Sequence, residues 1–161
     1  MRLWDFALDF YRREGVAMAC LELQDRGNVD VNILIHALWR TVIREETLEK
    51  GDIEAADAHV AAWREEVVLP LRAIRRRLKS GPAPAPDKTT EKLRDRVKAA
   101  ELDAEHIELD TLEAMHAAAS LSKTSDPHQR ARVAVLLVLE HFSPGHSEPL
   151  SHAIETLIDA V

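Results

Sequence analysis

One stretch of the chain, VNILIHALWRTVI at residues 31–43, is apolar around almost its whole circumference when it is drawn as a helix. Only Asn32, His36 and Arg40, spaced four residues apart, form a narrow polar stripe along it. A helix that is hydrophobic on all sides is stable only inside a larger structure. We therefore expect this helix to form the buried centre of the fold, with the other segments packed around it.

The segments before and after this stretch also have the periodicity of amphipathic helices, with apolar residues recurring every three or four positions. These segments are residues 3–12, 16–26, 127–142 and 148–161. Asp30 is the expected N-cap of the central helix, and Ser147 is the expected N-cap of the last one. Pro127, directly after Asp126, suits a first helical position. Together these signals predict two helices before the central one and two near the end of the chain.

Two long segments with a heptad pattern flank SGPAPAPD, a Pro/Ala-rich linker at residues 80–87. We expect Asp52 to cap a fourth helix that runs to about Lys79 and is kinked at Pro70. A fifth helix is expected over residues 88–121. The first seam comprises Ile53, Ala56, Val60, Trp63, Val67, Leu71, Ile74 and Leu78, and the second comprises Leu93, Val97, Ala100, Ala104, Ile107, Thr111, Ala114, Ala118 and Leu121. Two such seams joined by a short linker predict a long antiparallel helical hairpin.

The composition favours helices over sheets. Hydrophobic residues make up 46% of the chain but aromatic residues only 4%, and Ala and Leu supply much of the remainder. Strands favour β-branched and aromatic residues, whereas Ala and Leu favour helices. We predict a single all-α domain over residues 1–161, a helical bundle of six to seven helices. The first three helices and the sixth are expected to form the core, and the fourth and fifth the hairpin.

The net charge and the single cysteine exclude some classes of function and indicate the compartment of the protein. A formal net charge of −7 disfavours general nucleic-acid binding, because an acidic surface repels phosphate backbones. Cys20 is the only cysteine, which excludes a disulfide framework and indicates a reducing compartment. The N-terminal residues lack the apolar region of a signal peptide, and the longest apolar run, Val133–Leu139, is too short for a membrane span. We expect a cytoplasmic protein with no membrane span.

Several motifs in the chain resemble a known family. They are LWDFAL (3–8), GVAMACLELQD (15–25), DVNILIHALW (30–39), VVLPLRAIRRRLK (67–79) and AELDAE (100–105). Together they resemble a family of short bacterial proteins of similar length whose function is unknown. The resemblance covers residues 3–109. It implies an all-helical bacterial protein and brings no activity with it.

Polar residues cluster at the turn before the central helix. Asn28, Asp30 and Asn32 fall at alternate positions, as calcium ligands do in an EF-hand loop. That loop also requires a Gly and a bidentate Glu, and apolar residues stand at those two positions. We therefore expect Asp30 to cap the helix, with Asp25 or Asn32 bonding backbone groups across the turn. Ligand binding by Asp25, Asp30 and Asn32 is the alternative.

A run of basic residues lies on the fourth helix: Arg72, Arg75, Arg76, Arg77 and Lys79. Guanidinium groups suit both carboxylates and phosphates. In an antiparallel pairing of the two seams, Arg72 faces Glu101. Glu105 and Glu108 follow on the same edge. The cluster of Arg72, Arg75 and Arg76 therefore either forms ion pairs with Glu101 and Glu105, or forms a site for a small anionic ligand.

The sequence predicts no catalytic residue, metal or cofactor. Gly-rich phosphate loops are missing from it, and Cys20 lies on an apolar face. Glu113–His116 has the Glu-x-x-His spacing of di-iron bundles, but the similar pair Asp103–His106 points to another side of the same helix. The remaining histidines near the C-terminus lack the spacing of a zinc site: His141, His146 and His152.

Two functions from different classes remain. Long apolar seams and an amphipathic last helix favour a non-catalytic cytosolic adaptor that binds a protein partner or forms a homodimer. The alternative is a helical bundle that binds a small ligand or cofactor near Asp25, Asn32 and the Arg72–Glu101 edge. An adaptor predicts an exposed apolar face, whereas a ligand-binding protein predicts a cavity where charged groups converge.

Overall fold

The computed structural model describes residues 1–115, 120–145 and 148–161. Within these ranges the regular structure is helical apart from one isolated bridge between Glu46 and Leu121, which confirms the predicted all-α fold. The α-helices are α1 (Leu3–Tyr11), α2 (Val16–Gly27), α3 (Val31–Leu38), α4 (Lys50–Trp63), α5 (Leu69–Leu78), α6 (Lys88–Glu113), α7 (Pro127–Phe142) and α8 (Ser151–Asp159). Two π-helical segments, Trp39–Ile43 and Arg64–Val68, continue α3 and α4. None of the helices in these ranges is long and apolar enough to cross a membrane.

The helix α3 and the first three residues of its π-helical continuation lie in the core, as the sequence predicts, whereas Ile43 at the end of that continuation is 38% exposed. Every residue from Ile33 to Thr41 is buried, including His36 and Arg40 of the polar stripe. Burial lowers the pKa of His36 to about 3, so its imidazole is neutral at physiological pH. Arg40 Nε donates a 2.6 Å hydrogen bond to Glu46 Oε2 inside the core. The polar stripe is therefore part of the interior.

The core draws on more helices than the sequence predicts. Besides α1, α2, α3 and α7, buried apolar residues come from α4, α6 and α8. Ile53 and Leu112, for example, bring the near ends of α4 and α6 into the same apolar cluster. In the described chain α5 contributes no fully buried residue. The half of the hairpin nearest the bundle therefore belongs to the core as well.

The apolar face of α8 closes the bundle. Its buried residues pack mainly against α2 and α7: Ala153, Ile154, Leu157 and Ile158. Gly27 allows the close approach, because a Cβ at this position would lie 3.0 Å from Leu150 Cδ1. The predicted N-cap Ser147 and its neighbour His146 lie outside the described residues.

The predicted antiparallel hairpin is confirmed. One arm consists of α4, the π-helical segment and α5, and α5 packs along α6, which forms the other arm. Glu49 rather than Asp52 is the N-cap of α4. The Asp52 carboxylate instead accepts a 2.8 Å hydrogen bond from the Glu49 backbone N–H, in a capping box.

The disturbance expected at Pro70 takes the form of the π-helical segment Arg64–Val68. Proline has no N–H to donate, and its ring would clash with the carbonyl four residues earlier in a regular α-helix. A wider turn accommodates it and carries an extra residue, so the residues beyond it rotate relative to α4. Val68 is buried in place of Val67, and Ile74 is 50% exposed. The predicted seam is therefore wrong beyond this segment.

The predicted seam of α6 is also wrong, because Leu93 and Ile107 are half exposed. Ala104 of that seam is buried as predicted, but the other buried residues of this helix lie outside the seam: Glu101, Glu108, Leu109 and Leu112. Glu101 turns inward toward the arginines of α5, whereas Glu108 is buried without a hydrogen-bond partner in the described chain. The helix ends at Glu113, short of the predicted Leu121, which is exposed. Ala118 lies outside the described residues.

Candidate functional site

Asp30 fixes the N-terminus of α3 and connects it to the hairpin. Its Oδ1 accepts hydrogen bonds from the backbone N–H groups of Asn32 at 2.8 Å and Ile33 at 3.2 Å, which confirms the predicted N-cap. Its Oδ2 accepts a 2.9 Å hydrogen bond from Arg64 Nη1. Both carboxylate oxygens of Asp30 are therefore engaged by the fold.

Arg64 links Asp30 to a second carboxylate. Its Nη1 lies 2.7 Å from Asp57 Oδ1, and Asp57 Oδ2 lies 2.7 Å from His141 Nε2. Burial acts to raise the pKa of Asp57, but hydrogen bonds from His141 and Arg64 outweigh it and hold that pKa below its usual value. The result is a chain of polar contacts that joins the start of α3, the hairpin and the end of α7.

The hairpin arginine Arg72 is held by three partners, as the ion-pair alternative predicts. Its Nε donates to Glu101 Oε1 at 2.9 Å and its Nη2 donates to Glu105 Oε1 at 2.6 Å. Its Nη1 donates to Gln24 Oε1 at 2.9 Å. The predicted facing of Arg72 and Glu101 is therefore confirmed, and every nitrogen of this guanidinium has a partner within the protein.

Arg75 shares the same carboxylate. Its Nε and Nη2 both donate to Glu101, the latter at 3.1 Å to Oε1. Burial acts to raise the pKa of Glu101, but the hydrogen bonds from Arg75 and Arg72 outweigh it and hold that pKa below its usual value. For Glu105 the balance is opposite, because burial outweighs its bond from Arg72 and raises its pKa.

Arg76 and Asp25 lie apart from this network. Arg76 Nη2 reaches Asp25 Oδ1 at 3.4 Å, and both side chains are half exposed. Such a pair is loosely held in solvent. The structure thus brings Arg72 and Arg75 together with Glu101 and Glu105. It leaves Arg76 and Asp25 on the surface.

A cavity of 570 Å³ lies between α1, the start of α3, the segment around Val68 and α6. Its polar lining residues are Gln24, Asn28, Asp30, Asn32, Arg64, Glu65, Arg72, Glu105 and Glu108. Its apolar lining residues are Trp4, Ala7, Leu8, Tyr11, Val29, Val31, Val68, Leu69, Leu102, Leu109 and Phe142. Four of the residues predicted from the sequence therefore lie at one cavity: Asp30, Asn32, Arg72 and Glu105. A volume of this size suits a small organic molecule.

Glu108, which the sequence places on the same edge as Glu105 but not among the predicted binding residues, also lines this cavity. Its side chain is 1% exposed, and in the described part of the chain neither carboxylate oxygen has a hydrogen-bond partner. Burial and the nearby Asp30 carboxylate raise its pKa to about 8. The Asn32 side chain lies close enough to lower this pKa in part, without completing a hydrogen bond of ordinary geometry.

The sequence did contain a signal for Glu108. Glu101, Glu105 and Glu108 recur at intervals of four and three residues, so they share one face of α6. Since Glu101 is paired with arginines from α5, that face points inward and Glu108 follows it into the interior. The missing information was which face of the helix is buried.

A second cavity of 550 Å³ adjoins the first and shares Tyr11, Gln24, Arg72 and Glu105 with it. The remaining predicted arginines and Glu101 lie here, together with Cys20. Burial raises the pKa of the Cys20 thiol to about 12, so it is an unreactive thiol at neutral pH. This environment does not favour nucleophilic chemistry.

The geometry gives no support to a metal centre. Among the described residues, no group of three or more His, Cys, Asp or Glu side chains is placed to hold an ion. His106 stacks on Trp4 with ring centroids 3.9 Å apart, and Glu113 pairs with Arg2. His116, the other half of the Glu-x-x-His pattern, lies outside the described residues.

Comparison with known proteins agrees with the resemblance seen in the sequence motifs. No curated protein and no solved structure matches the chain. A family model described as a protein of unknown function, DUF2390, matches residues 2–112, which include the hairpin and most of the cavity wall. The chain therefore belongs to the DUF2390 family of proteins of unknown function.

Proposed function

We propose that this protein binds a small organic molecule in the cavity between α1, α3 and α6. The observation that carries the proposal is Glu108, a buried carboxyl group without a hydrogen-bond partner in the described chain, in the wall of a cavity of 570 Å³. A buried polar group without a partner costs folding free energy. A ligand that completes its hydrogen bonds would offset that cost, whereas no contact within the described chain does so.

The lining of the cavity supports the same proposal. Ligand sites in proteins combine apolar walls with a few converging polar groups. Here three aromatic residues and several aliphatic ones surround the carboxyl groups of Glu105 and Glu108 and the guanidinium groups of Arg64 and Arg72. These arginines and Asp30 are held by contacts with one another or with neighbouring carboxylates, so the site is preorganised.

An adaptor has less support. One of the two surfaces on which that prediction rested, the apolar face of α8, is buried against α2 and α7. The predicted seams of the hairpin leave single apolar side chains such as Leu93 and Ile107 half exposed. Scattered exposed apolar residues are ordinary on protein surfaces and do not by themselves indicate a partner.

The proposal is tested by placing a large side chain in the cavity. Leu69 lines it and Ile74, on the same helix, does not; both are about half exposed, so Leu69→Trp and Ile74→Trp form a matched pair. A collection of aromatic fragments with equal numbers of cationic, neutral and anionic members is screened by ligand-observed NMR. We expect fragments that bind the wild-type protein and Ile74→Trp and lose binding to Leu69→Trp. A screen without any fragment that behaves in this way rejects the proposal.

A further inference from the structure

Glu108 gives the cavity a pair of carboxylate oxygens that are free to accept hydrogen bonds when the group is ionised. Both oxygens of Asp30 accept hydrogen bonds from the fold, and Arg72 uses its Nε and both Nη groups. Glu108 alone among these charged groups has two oxygens without a partner in the described chain. A group that completes the hydrogen bonds of the ionised Glu108 carboxylate must therefore bring donors.

The charges around the cavity favour a cation. The charged residues that line it are Asp30, Arg64, Glu65, Arg72, Glu105 and Glu108. Carboxyl groups outnumber guanidinium groups in this set, and each guanidinium also pairs with a carboxylate just outside it, Arg64 with Asp57 and Arg72 with Glu101. A negative potential in a cavity with apolar walls attracts positive ligands.

The walls suit an organic cation better than a metal ion. No group of metal-ligating side chains of sufficient size exists among the described residues. Trp4, Tyr11 and Phe142 line the cavity, together with aliphatic side chains such as Leu8 and Leu102. Aromatic faces attract organic cations, and aliphatic walls bind an apolar body.

We infer that the ligand is an organic amine, in which a protonated ammonium group donates hydrogen bonds to Glu108 and an apolar body packs against Trp4, Tyr11 and Phe142. This inference rests on the proposed function and adds the chemical class of the ligand. It replaces the small anion suggested by the arginine cluster, because the partners of Arg72 are already supplied by the hairpin.

Binding of an ammonium group releases a proton. Because the pKa of Glu108 is about 8, the empty site holds a carboxylic acid through most of the neutral range. The ammonium group requires the carboxylate, so the Glu108 proton passes to the buffer when the ligand binds. The other ionisable groups facing Glu108 are Asp30 before α3, Arg64 and Glu65 on the π-helical segment, Arg72 on α5 and Glu105 on α6. Trp4 of α1 lines the cavity, and the imidazole of His106 on α6 stacks on it, so this imidazole also lies near the cavity.

The test uses three probes of similar shape and different charge: tryptamine, tryptophol and indole-3-propionate. Isothermal titration calorimetry with the full-length protein measures their affinities from about pH 6 to pH 8. At the upper pH we expect tryptamine to bind about tenfold more tightly than tryptophol, because a charge-assisted hydrogen bond replaces a neutral one. Between the two pH values its affinity should rise about 50-fold, following the ionised fraction of Glu108. Tryptophol should show no comparable rise.

Two charge-removing variants complete the test. Glu108→Gln keeps the size of the side chain and should abolish the pH dependence of tryptamine binding. Glu65→Gln removes a charge from an exposed residue of the same cavity and should leave the pH dependence intact. The inference is overturned if tryptophol or indole-3-propionate binds as tightly as tryptamine, if none of the three binds, or if Glu108→Gln retains the pH dependence. Neutral or anionic fragments that respond to Leu69→Trp would leave the proposed function standing and remove only the ligand class.

Discussion

Glu101 and Glu108 lie seven residues apart on the same face of α6, and their surroundings are opposite. Glu101 is 5% exposed and receives hydrogen bonds from Arg72 and Arg75, whereas Glu108 is 1% exposed and has no hydrogen-bond partner in the described chain. The pKa of Glu101 is lowered and the pKa of Glu108 is raised. One helix therefore carries a carboxylate that stabilises the hairpin and a carboxyl group that opposes folding when it ionises.

The difference arises from what each residue faces. Glu101 lies opposite α5, which brings two guanidinium groups to it. Glu108 lies opposite the start of α3, where the carboxylate of Asp30 helps to raise its pKa and where a cavity separates the helices. A buried carboxyl group that destabilises the folded state when it ionises and has no hydrogen-bond partner within the described fold is typical of functional sites.

The largest expected effect is a change in how stability depends on pH when Glu108 is replaced by Gln. The folded protein keeps a proton on Glu108 up to about pH 8, whereas the unfolded chain releases it near the ordinary value of 4.5. The free energy of unfolding of the wild type should therefore fall relative to Glu108→Gln as pH rises through this window. Between about pH 5.5 and pH 8 the difference should grow by about 3 kcal/mol. Urea denaturation at both pH values measures it.

Glu105 also has a raised pKa, and it is present in both proteins, so its contribution cancels in this comparison. Glu65→Gln serves as the control for loss of a negative charge near the cavity. Parallel pH profiles for the wild type and Glu108→Gln would contradict the assignment of Glu108 as the unpaired group.

The next largest effect concerns Glu101 and its arginine partners. Arg72→Met should lower the free energy of unfolding by about 2 kcal/mol at neutral pH, less than for a fully broken buried pair because Glu101 keeps Arg75. Arg76→Met, the matched change at a half-exposed residue of the same helix, should cost less than about 0.5 kcal/mol. Chemical denaturation of both variants measures the two losses in free energy of unfolding. Equal losses would mean that Arg72 acts only through its aliphatic stem.

A smaller effect is expected for Arg75→Met, about 1 kcal/mol, because this side chain is more exposed than Arg72 and Glu101 keeps its other partner. The double variant Arg72→Met/Arg75→Met should lose more stability than the two single variants together, since Glu101 then lies buried without a partner. Denaturant titrations of the four proteins form the cycle. A strictly additive result would show that neither arginine compensates at Glu101 for the loss of the other.

The ion pairs and caps of this region follow largely from local sequence, whereas the cavity around Glu108 does not. Asp30 as an N-cap and Arg72 opposite Glu101 were predicted because capping and antiparallel pairing depend on residues near in sequence or in register. The rotation introduced by the π-helical segment before Pro70 was not predicted, and it leaves Ile74 exposed. The cavity at Glu108 depends on how α1, α3 and α6 approach one another, which periodicity does not specify.

The smallest expected effect tests whether the Asn32 side chain lowers the pKa of Glu108. The Asn32 side chain lowers the pKa of Glu108 from within the cavity wall, and its backbone N–H is already held by Asp30. Asn32→Ala should therefore raise the pKa of Glu108 further above about 8, without loosening the N-cap. A carbon-13 NMR titration of the glutamate carboxyl groups follows this directly. Glu101 lies two turns away beside α5, so its pKa should not change. A shift in the pKa of both carboxyl groups would instead indicate a change in the whole helix.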